Sequence, residues 1–397
     1  MRILMVSDVY FPRVNGVSTS IATYTDSLRN LGHDVVQIAP EYLQEQHSEP
    51  DVCRVPSRGL LLDPEDRMMR YSRILDLEDV LRARKPDVVH IQTPFVAHYA
   101  GRHLAKRLGV AAVESYHTYF EEYLYHYVPF LPKAVLRSVA RNLSARQGNS
   151  VDALVVPSRA MRDKLADYGV STPMEVIPTG LNLAQFGNGD GRRFRCLVGV
   201  DDDRPVLLYV GRLAHEKNID FLLHVVAKVR LQIPEVMIVI AGEGPAEPHL
   251  RRLAAKLAIE GNVTFVGYLE RESALLDCYA AANVFVFSSR TETQGLVLLE
   301  AMAMGVPVVA LAEMGTRDVL RDGTGCLVAT DDITDFTSKV LYLLRQRETR
   351  RELSLRAREY AQSWSNEACA DRVVKLYDRV VEAHRAGGLV GAEVTSQ

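Results

Sequence analysis

Short apolar segments alternate with helical stretches along almost the whole 397-residue chain, and this alternation constrains the fold more than any other feature. Strands buried on both faces are apolar throughout, and a helical connection lets successive strands run parallel. The pattern therefore predicts an α/β fold of parallel sheets built from βαβ units. The apolar segments form a first set at 2–7, 34–40, 87–93, 111–117, 153–158 and 174–180, and a second set at 206–212, 236–244, 263–268, 284–289, 307–311 and 325–329.

The two sets predict two domains. A stretch rich in Gly, Asp and Arg at 181–205 separates them near the midpoint of the chain and has the composition of a linker. We therefore expect doubly wound, Rossmann-like domains at 1–180 and 206–362, facing each other across a hinge. Beyond them, the pattern predicts a helix within 363–385 that lacks strand partners, and a disordered tail at 386–397.

Composition and charge exclude several classes of protein. Charged residues make up 24% of the chain and hydrophobic residues 47%, as in ordinary globular proteins. A net charge of −3 argues against a general nucleic-acid binder. The five cysteines lack CxxC spacing, which predicts free thiols in a reducing cytosol and no zinc site. No apolar run approaches the roughly 18 residues that a spanning helix needs, so any contact with a membrane is expected to be peripheral.

Two carboxylates flank a glycine in the segment SSRTETQGLVLLEAM, where a strand and loop lead into a helix. The first N–H groups of this helix, at Gly295, Leu296 and Val297, lack helical acceptors and favour a phosphate. Glu292 precedes them and Glu300 lies about a turn into the helix, and a carboxylate offers about four acceptor positions, which suits neighbouring hydroxyls. The segment therefore predicts a sugar diphosphate site, with Glu292 on the sugar and Glu300 on a second polyol such as a ribose. The alternative is that the two glutamates are ordinary partners of the helix dipole, or that Glu300 is simply solvated.

Other candidate residues follow strands, where open α/β sheets bind ligands. Arg212 and Lys217 lie in the loop after the first strand of the second domain, where two cations could hold a diphosphate and offset its charge on departure. Gly16 follows the first strand of the first domain and would let the backbone approach a phosphate. His117 ends a strand. Taken alone, Arg212 and Lys217 could equally be surface cations. Gly16 could be part of an Asn-Gly turn, and His117 could be a structural histidine.

Together these motifs resemble glycosyltransferase family 4, whose members are retaining nucleotide-sugar transferases of the GT-B architecture. Glu292 and Glu300 match the Glu-x7-Glu pair of this family, and Arg212 and Lys217 match the arginine of its Gly-Arg dipeptide and the lysine that follows it. The segments FPRVNGVSTS and YHTYFEEYLYHYV resemble in particular the bacterial diacylglycerol glucosyltransferases, with the mannosyltransferases of lipid acceptors close behind.

The resemblance implies roles for individual residues. His117 is expected near the reactive carbon and the 6-hydroxyl of the sugar, and the backbone around Leu269 is expected to cradle the base. The last helix is expected to cross back onto the first domain. The expected catalytic residues are His117, Arg212, Lys217 and Glu292. The expected donor-binding residues are Gly16, Arg212, Lys217, Leu269, Glu292, Gln294, Gly295, Leu296, Val297 and Glu300.

The activity implied is transfer of a hexose, glucose from UDP-glucose in the first instance, onto a membrane lipid hydroxyl such as that of diacylglycerol. No metal and no cofactor is expected, because side chains and backbone amides would stabilise the leaving group. Three alternatives stay open: a GDP-mannose-dependent mannosyltransferase acting on a lipid or soluble glycan, a nucleotide-sugar epimerase, and a non-catalytic binder of sugar nucleotides.

A basic stretch suggests where a membrane could bind. Lys133, Arg137 and Arg141 follow one another at helical spacing, after the aromatic tract EEYLYHYVPFLP. A basic amphipathic helix with aromatic neighbours can lie on an anionic membrane, so residues 123–146 are the predicted docking segment. The expected location is cytoplasmic, at the inner face of the cytoplasmic membrane. The alternative is an ordinary surface helix of a Rossmann domain.

Overall fold

The computed structural model describes residues 1–13, 16–42, 51–59, 67–117, 133–271 and 273–394, without the side chains of 133–134 and 388–394. The chain divides into two compact units. Unit 1 comprises Met1–Gly180 together with Asn366–Gln397, and unit 2 comprises Leu181–Ser365.

Unit 1 is built on a parallel seven-stranded sheet in the order β3-β2-β1-β6-β7-β8-β9. Its strands are β1 (Arg2–Val6), β2 (Asp34–Pro40), β3 (Val52–Val55), β6 (Val88–Ile91), β7 (Ala111–Ser115), β8 (Ala153–Val156) and β9 (Met174–Val176), with an antiparallel pair β4 (Ser57–Gly59) and β5 (Arg67–Met69) beside them. Its helices are α1 (Gly16–Asn30), α2 (Tyr71–Leu75), α3 (Glu78–Arg84), α4 (Val96–Leu108), α5 (Lys133–Gly148), α6 (Arg159–Asp167) and α15 (Asn366–Val394).

Strand β1 shows why this sheet is covered on both faces. Successive side chains of a strand point to opposite faces. Ile3 and Met5 belong to a buried cluster that includes Tyr377 of α15, whereas Leu4 and Val6 belong to a second cluster that includes residues of α4. Both faces of this strand are therefore apolar, and charged side chains are expected where it ends.

The long helix α15 is anchored in unit 1 by a buried polar chain. The hydroxyl of Tyr377 lies 2.5 Å from Nδ1 of His90, and Nε2 of His90 lies 2.9 Å from the Ser115 hydroxyl. Burial lowers the pKa of His90 to about 3, so the ring is neutral, with one nitrogen donating and the other accepting. Near the start of α15, the Asn366 amide donates to the Ser27 hydroxyl at 2.9 Å. The last helix thus belongs to unit 1, although unit 2 precedes it in the chain.

Unit 2 has a parallel six-stranded sheet in the order β12-β11-β10-β13-β14-β15. Its strands are β10 (Val206–Val210), β11 (Met237–Ala241), β12 (Val263–Gly267), β13 (Val284–Phe287), β14 (Val308–Leu311) and β15 (Cys326–Ala329). Its helices are α7 (Gly191–Leu197), α8 (Ile219–Arg230), α9 (Glu247–Lys256), α10 (Ala274–Ala281), α11 (Leu296–Ala303), α12 (Thr316–Val319), α13 (Ile333–Arg345) and α14 (Arg347–Gln362). The predicted fold of two parallel-sheet, Rossmann-like domains is confirmed.

The stretch at 181–205 differs from the linker that its composition predicts. It contains α7, which packs against α10 through the buried side chain of Phe194. The Arg193 guanidinium binds the buried carboxylate of Asp277, with Nε and Oδ2 2.7 Å apart. A Cβ atom on Gly191 would lie 2.5 Å from the carbonyl oxygen of Ala280. The glycines and arginines that suggested a linker therefore serve close packing and ion pairing within unit 2.

The end of the chain also differs from the prediction. Unit 2 ends at Ser365, and the crossover helix α15 runs over Asn366–Val394. It therefore continues through most of the 386–397 segment for which a disordered tail was expected. The segment AGGLVGAEV lacks a proline, the residue that would end a helix most sharply, so its glycines alone do not interrupt α15.

Replacing Tyr377 with Phe is expected to destabilise the protein, because one polar atom of the buried His90 ring would lose its partner. The free energy of unfolding should fall by about 1–3 kcal/mol, measured by urea denaturation. Tyr342→Phe, at a side chain that is half exposed, is the matched control and should change stability by less than about 0.5 kcal/mol. Equal stability of the two variants would contradict an anchoring role for the Tyr377 hydroxyl.

Candidate active site

The loops after β10 and β13 are joined by hydrogen bonds that fix the position of Lys217. Lys217 ends a short 3-10 turn after β10, and Asn218 follows it in a left-handed conformation with φ of 56°. The Asn218 amide donates to the Ser288 carbonyl at 3.2 Å, and the Ser288 hydroxyl donates to the Asn218 carbonyl at 2.8 Å. Residues that are 70 positions apart therefore meet at the carboxyl ends of neighbouring strands.

Lys217 and Glu292 form an ion pair at this position. Nζ of Lys217 lies 2.5 Å from Oε1 of Glu292, and both side chains are largely but not fully buried. The backbone carbonyl of Glu292 accepts a hydrogen bond from the N–H of Gly315 at 2.9 Å. A Cβ atom on Gly315 would lie 1.9 Å from the Thr293 carbonyl oxygen, so only glycine fits there. Two predicted site residues are thus brought together, and the loop that carries Glu292 is fixed from the next strand.

Helix α11 begins directly after this loop. Gly295 is its N-cap, with φ of 89°, and the helix itself starts at Leu296, one residue later than predicted. The Leu298 N–H donates to the Gly295 carbonyl at 3.0 Å, whereas the N–H groups of Leu296 and Val297 precede the first position at which a helix supplies an acceptor. Gln294 is buried just before the cap. The helix terminus can therefore receive an anion, as its sequence predicts.

Glu300 lies one turn into α11 and is 2% exposed. The Arg271 guanidinium donates to its Oε1, and the Tyr279 hydroxyl donates to its Oε2 at 2.8 Å. Sequence reasoning missed both partners, because they are 29 and 21 residues away and belong to no local motif. The carboxylate is thus held by two donors and keeps part of its accepting capacity.

The backbones of the loops after β10, β11 and β12 approach one another closely. Gly211 N–H donates to the Ala241 carbonyl at 3.0 Å, and Gly242 N–H donates to the Gly267 carbonyl at 2.7 Å. A Cβ atom on Gly242 would lie 2.0 Å from the Gly211 oxygen, which explains the glycine of the AGEGP segment. Leu269, predicted near the base, follows β12 and is half-buried against the core. Arg212 lies in the first of these loops with an exposed side chain.

In unit 1, His117 follows β7 and pairs with Gln92, which follows β6. Nε2 of His117 lies 3.1 Å from Oε1 of Gln92. Burial lowers the pKa of His117 to about 4, so the ring is neutral at pH 7. Because the Gln92 oxygen only accepts, Nε2 carries the proton and Nδ1 is left as an acceptor. Gly16 is exposed at the first residue of α1, and space remains around its Cα.

Asp8, at the end of β1, is a buried acid that the sequence did not single out. Its Oδ2 accepts from the Thr93 hydroxyl and from the Ala97 N–H, each at 2.9 Å. Burial raises its pKa to about 7, although these hydrogen bonds act in the opposite direction. Ala97 lies in the first turn of α4, whose N-cap residue Phe95 makes no side-chain cap. Asp8 therefore supplies the missing cap from a neighbouring strand.

The predicted membrane segment is described only in part. Residues 118–132, which include the aromatic tract, lie outside the described residues, as does the side chain of Lys133. Helix α5 exposes Val135 and Val139, at 47% and 48%, next to Arg137. Arg141 donates to the Asp167 carbonyl at 3.0 Å, so part of the predicted basic face binds the protein itself.

The described residues contain neither a cluster of metal ligands nor a membrane-spanning helix. No group of three or more His, Cys, Asp or Glu side chains within those ranges could hold a metal ion. None of the helices in the described parts of the chain combines the length and the apolar character needed to cross a membrane.

Comparison with known proteins identifies the family. The sequence family described as Glycosyltransferase Family 4 matches residues 14–185, and Glycosyl transferases group 1 matches residues 194–360. The alpha-monoglucosyldiacylglycerol synthase of Streptococcus pneumoniae is 34% identical over 331 residues, which cover 81% of this chain and 74% of that protein. The GDP-mannose-dependent alpha-mannosyltransferase of Mycolicibacterium smegmatis is 29% identical over 396 residues, which cover 96% and 98%.

Among solved structures, a sucrose-phosphate synthase from Thermosynechococcus elongatus superposes with a TM-score of 0.77 at 22% identity, covering 96% of this chain and 99% of that one. At this identity the likeness shows the fold alone. With the family matches and the relatives, it leads to one conclusion: the chain belongs to glycosyltransferase family 4 and is a hexosyltransferase with the GT-B fold.

Proposed function

We propose that the protein is a retaining transferase that moves glucose from UDP-glucose onto a membrane lipid hydroxyl such as that of diacylglycerol. The observation that carries this proposal is the 34% identity over 81% of the chain to a protein named alpha-monoglucosyldiacylglycerol synthase. The geometry of unit 2 supports it, because a cation, a carboxylate and a helix N-terminus occur together where a sugar diphosphate would bind.

A second candidate is transfer of mannose from GDP-mannose to a lipid or a soluble glycan. The relative named GDP-mannose-dependent alpha-mannosyltransferase aligns over 96% of the chain, although at 29% identity. An epimerase or a non-catalytic binder fits the same loops less well, since the family's charged residues are all present and the relatives are named as transferases or synthases.

The proposed roles follow from the contacts in unit 2. Lys217, with Arg212, binds the diphosphate and offsets the charge that develops as it leaves, and the N–H groups that begin α11 act with them. Glu292 accepts hydrogen bonds from the sugar hydroxyls, and Glu300 accepts from the ribose. The donor would displace Lys217 from Glu292 in part, so that each charge of the ion pair contacts its own part of the donor.

The acceptor's proton can pass to the departing phosphate, with attack on the same face of the sugar, so the proposal requires neither a metal nor a protein nucleophile. Positioning of the two substrates and electrostatic stabilisation would supply most of the rate. The resemblance also assigns His117 and Gly16 to the donor. The neutral ring of His117, with Nδ1 left as an acceptor, suits a sugar hydroxyl.

A lipid acceptor requires contact with a membrane, and α5 is the proposed docking surface. The exposed Val135 and Val139 could enter the lipid interface while Arg137 contacts anionic head groups. The proposed location is therefore the inner face of the cytoplasmic membrane, with the lipid as acceptor and the anionic surface as partner.

One experiment tests the donor and the acceptor together. The purified protein is incubated with UDP-glucose, UDP-galactose, GDP-mannose and ADP-glucose, with and without vesicles that contain diacylglycerol. The proposal expects glucosylated diacylglycerol only from UDP-glucose with vesicles. Mannosylated product from GDP-mannose would favour the second candidate, and conversion of a donor without any acceptor would indicate an epimerase.

The two members of the ion pair are expected to affect different steps, Glu292 the transfer of sugar and Lys217 the binding of UDP. Glu292→Ala should remove charged hydrogen bonds to the sugar worth roughly 1.5–3 kcal/mol each, so kcat/KM should fall on the order of 10- to 200-fold. Its affinity for UDP should change little, because UDP lacks the hexose that Glu292 is proposed to bind. Lys217→Ala should instead weaken UDP binding about 10-fold or more, since it removes a cation and leaves the carboxylate unpaired.

Steady-state kinetics and isothermal titration with UDP measure these effects. Glu247→Ala is the control, because Glu247 forms a comparable ion pair with Arg251 at 2.7 Å elsewhere in unit 2. If Glu292→Ala transfers sugar at the parent rate, Glu292 does not bind the donor sugar.

The proposed stabilisation of the leaving group by side chains and amides also predicts resistance to chelators. Turnover of the donor should be the same, within about twofold, before and after dialysis against EDTA, because Arg212, Lys217 and α11 supply the positive charge. Loss of turnover that magnesium or manganese restores would contradict this part of the mechanism.

The docking surface predicts salt-dependent binding to vesicles. Replacing Lys133, Arg137 and Arg141 together by Ser should reduce binding to anionic vesicles by about 3 kcal/mol at most, or about 1 kcal/mol per cation. Binding by the parent should fall with added salt, since ions screen these charges. Vesicle sedimentation measures both effects, and UDP affinity should stay the same.

The control removes the same charge elsewhere: Arg347, Arg351 and Arg356, exposed on α14, are replaced together by Ser. Equal loss of vesicle binding in both triple variants would indicate a general charge effect. Full binding by the α5 variant would place the docking surface elsewhere and favour a soluble acceptor.

A further inference from the structure

The carboxylate of Glu300 depends on one cation that no family motif includes. Glu300 is 2% exposed, and the Arg271 guanidinium contacts its Oε1. A buried carboxylate is costly unless a cation compensates it, and Arg271 is the cation that contacts Glu300. The mutual attraction is reflected in the pKa of Arg271, which the Glu300 charge raises.

The number of acceptor positions on the Glu300 carboxylate suggests which ligand groups it binds. A carboxylate has about four lone-pair positions, and the contacts with Arg271 and with the Tyr279 hydroxyl use one on each oxygen. One position on each oxygen remains, which suits two neighbouring hydroxyls. Because each protein donor binds a different oxygen, the two contacts together orient the carboxylate and its remaining positions.

Arg271 differs from an ordinary buried ion-pair partner by its place in the fold. It follows β12, in the loop that contains Leu269, and its side chain is 36% exposed. The fully buried Tyr279 thus binds one oxygen of the carboxylate, while Arg271 binds the other from a loop at the carboxyl end of the sheet, where ligands bind.

We propose that Arg271 is a positioning residue that holds the Glu300 carboxylate towards the ribose of the donor and thereby determines discrimination between ribonucleotides and deoxyribonucleotides. The inference rests on the proposed function, in which Glu300 accepts hydrogen bonds from the ribose. Arg271 itself acts through Glu300 and need not contact the donor.

The test compares binding of UDP, 2′-deoxy-UDP and 3′-deoxy-UDP to the parent, to Arg271→Ala and to Arg271→Lys by isothermal titration. In the parent, loss of a hydroxyl that binds a charged group should weaken binding about 10-fold or more. In Arg271→Ala the preference for UDP should fall to within about threefold, and Arg271→Lys should restore part of it, because a lysine keeps the charge with a single point of contact.

Arg193→Ala is the matched control. Arg193 likewise pairs with a buried carboxylate, that of Asp277, but between α7 and α10. It should lower the melting temperature to a similar extent and leave the preference for UDP at the parent value. If Arg193→Ala also loses the preference for UDP, the proposal is overturned. The loss in Arg271→Ala would then be explained by lower stability of the protein alone.

The remaining outcomes separate this inference from the proposed function. If Arg271→Ala keeps the full preference for UDP over the deoxy compounds, the role of Arg271 is wrong while the donor site stands. If the parent binds UDP and the deoxy compounds equally well, Glu300 does not bind the ribose hydroxyls, and the inference fails. If the parent does not bind UDP, the proposed transfer from UDP-glucose itself fails.

Discussion

Burial of both sheets on both faces is the constraint on which the rest of the structure depends. Side chains of β1 from Ile3 to Val6 alternate between two apolar clusters, so a charged group has no place in that part of the strand. The charged groups of the candidate site therefore follow the strands, and the parallel direction of the strands brings their ends to one edge. Lys217 and Glu292 meet in unit 2 for this reason, although Lys217 follows β10 and Glu292 follows β13.

Backbone contacts hold that edge together. Glycines at 211, 242 and 315 allow neighbouring loops to approach within hydrogen-bonding distance, and any larger residue at Gly242 or Gly315 would overlap a carbonyl oxygen. The charged side chains then lie on a rigid base. Their charges are paired, Lys217 with Glu292 and Arg271 with Glu300, so each carboxylate is compensated by a nearby cation.

The pairing of buried polar groups also explains two residues inside unit 1. His90 is neutral and bridges Tyr377 and Ser115, while Asp8 caps α4 from a neighbouring strand. Both buried groups have partners from distant parts of the chain, as buried polar groups generally do. The long helix α15 depends on this arrangement, because its contact with His90 adds a directional hydrogen bond next to the apolar cluster that it shares with β1.

The sequence by itself determined the parallel α/β class, the two domains, the family and the loop that carries Glu292, because these depend on hydrophobic period and on short motifs. The positions of the candidate site residues at strand ends followed from the topology of parallel sheets. Only the tertiary structure decided that 181–205 packs within unit 2, and that Arg271, Tyr279, Asp8 and Gln92 join the candidate sites. Those contacts link residues tens of positions apart, and a hydrogen bond across such a separation leaves no periodic trace in one sequence.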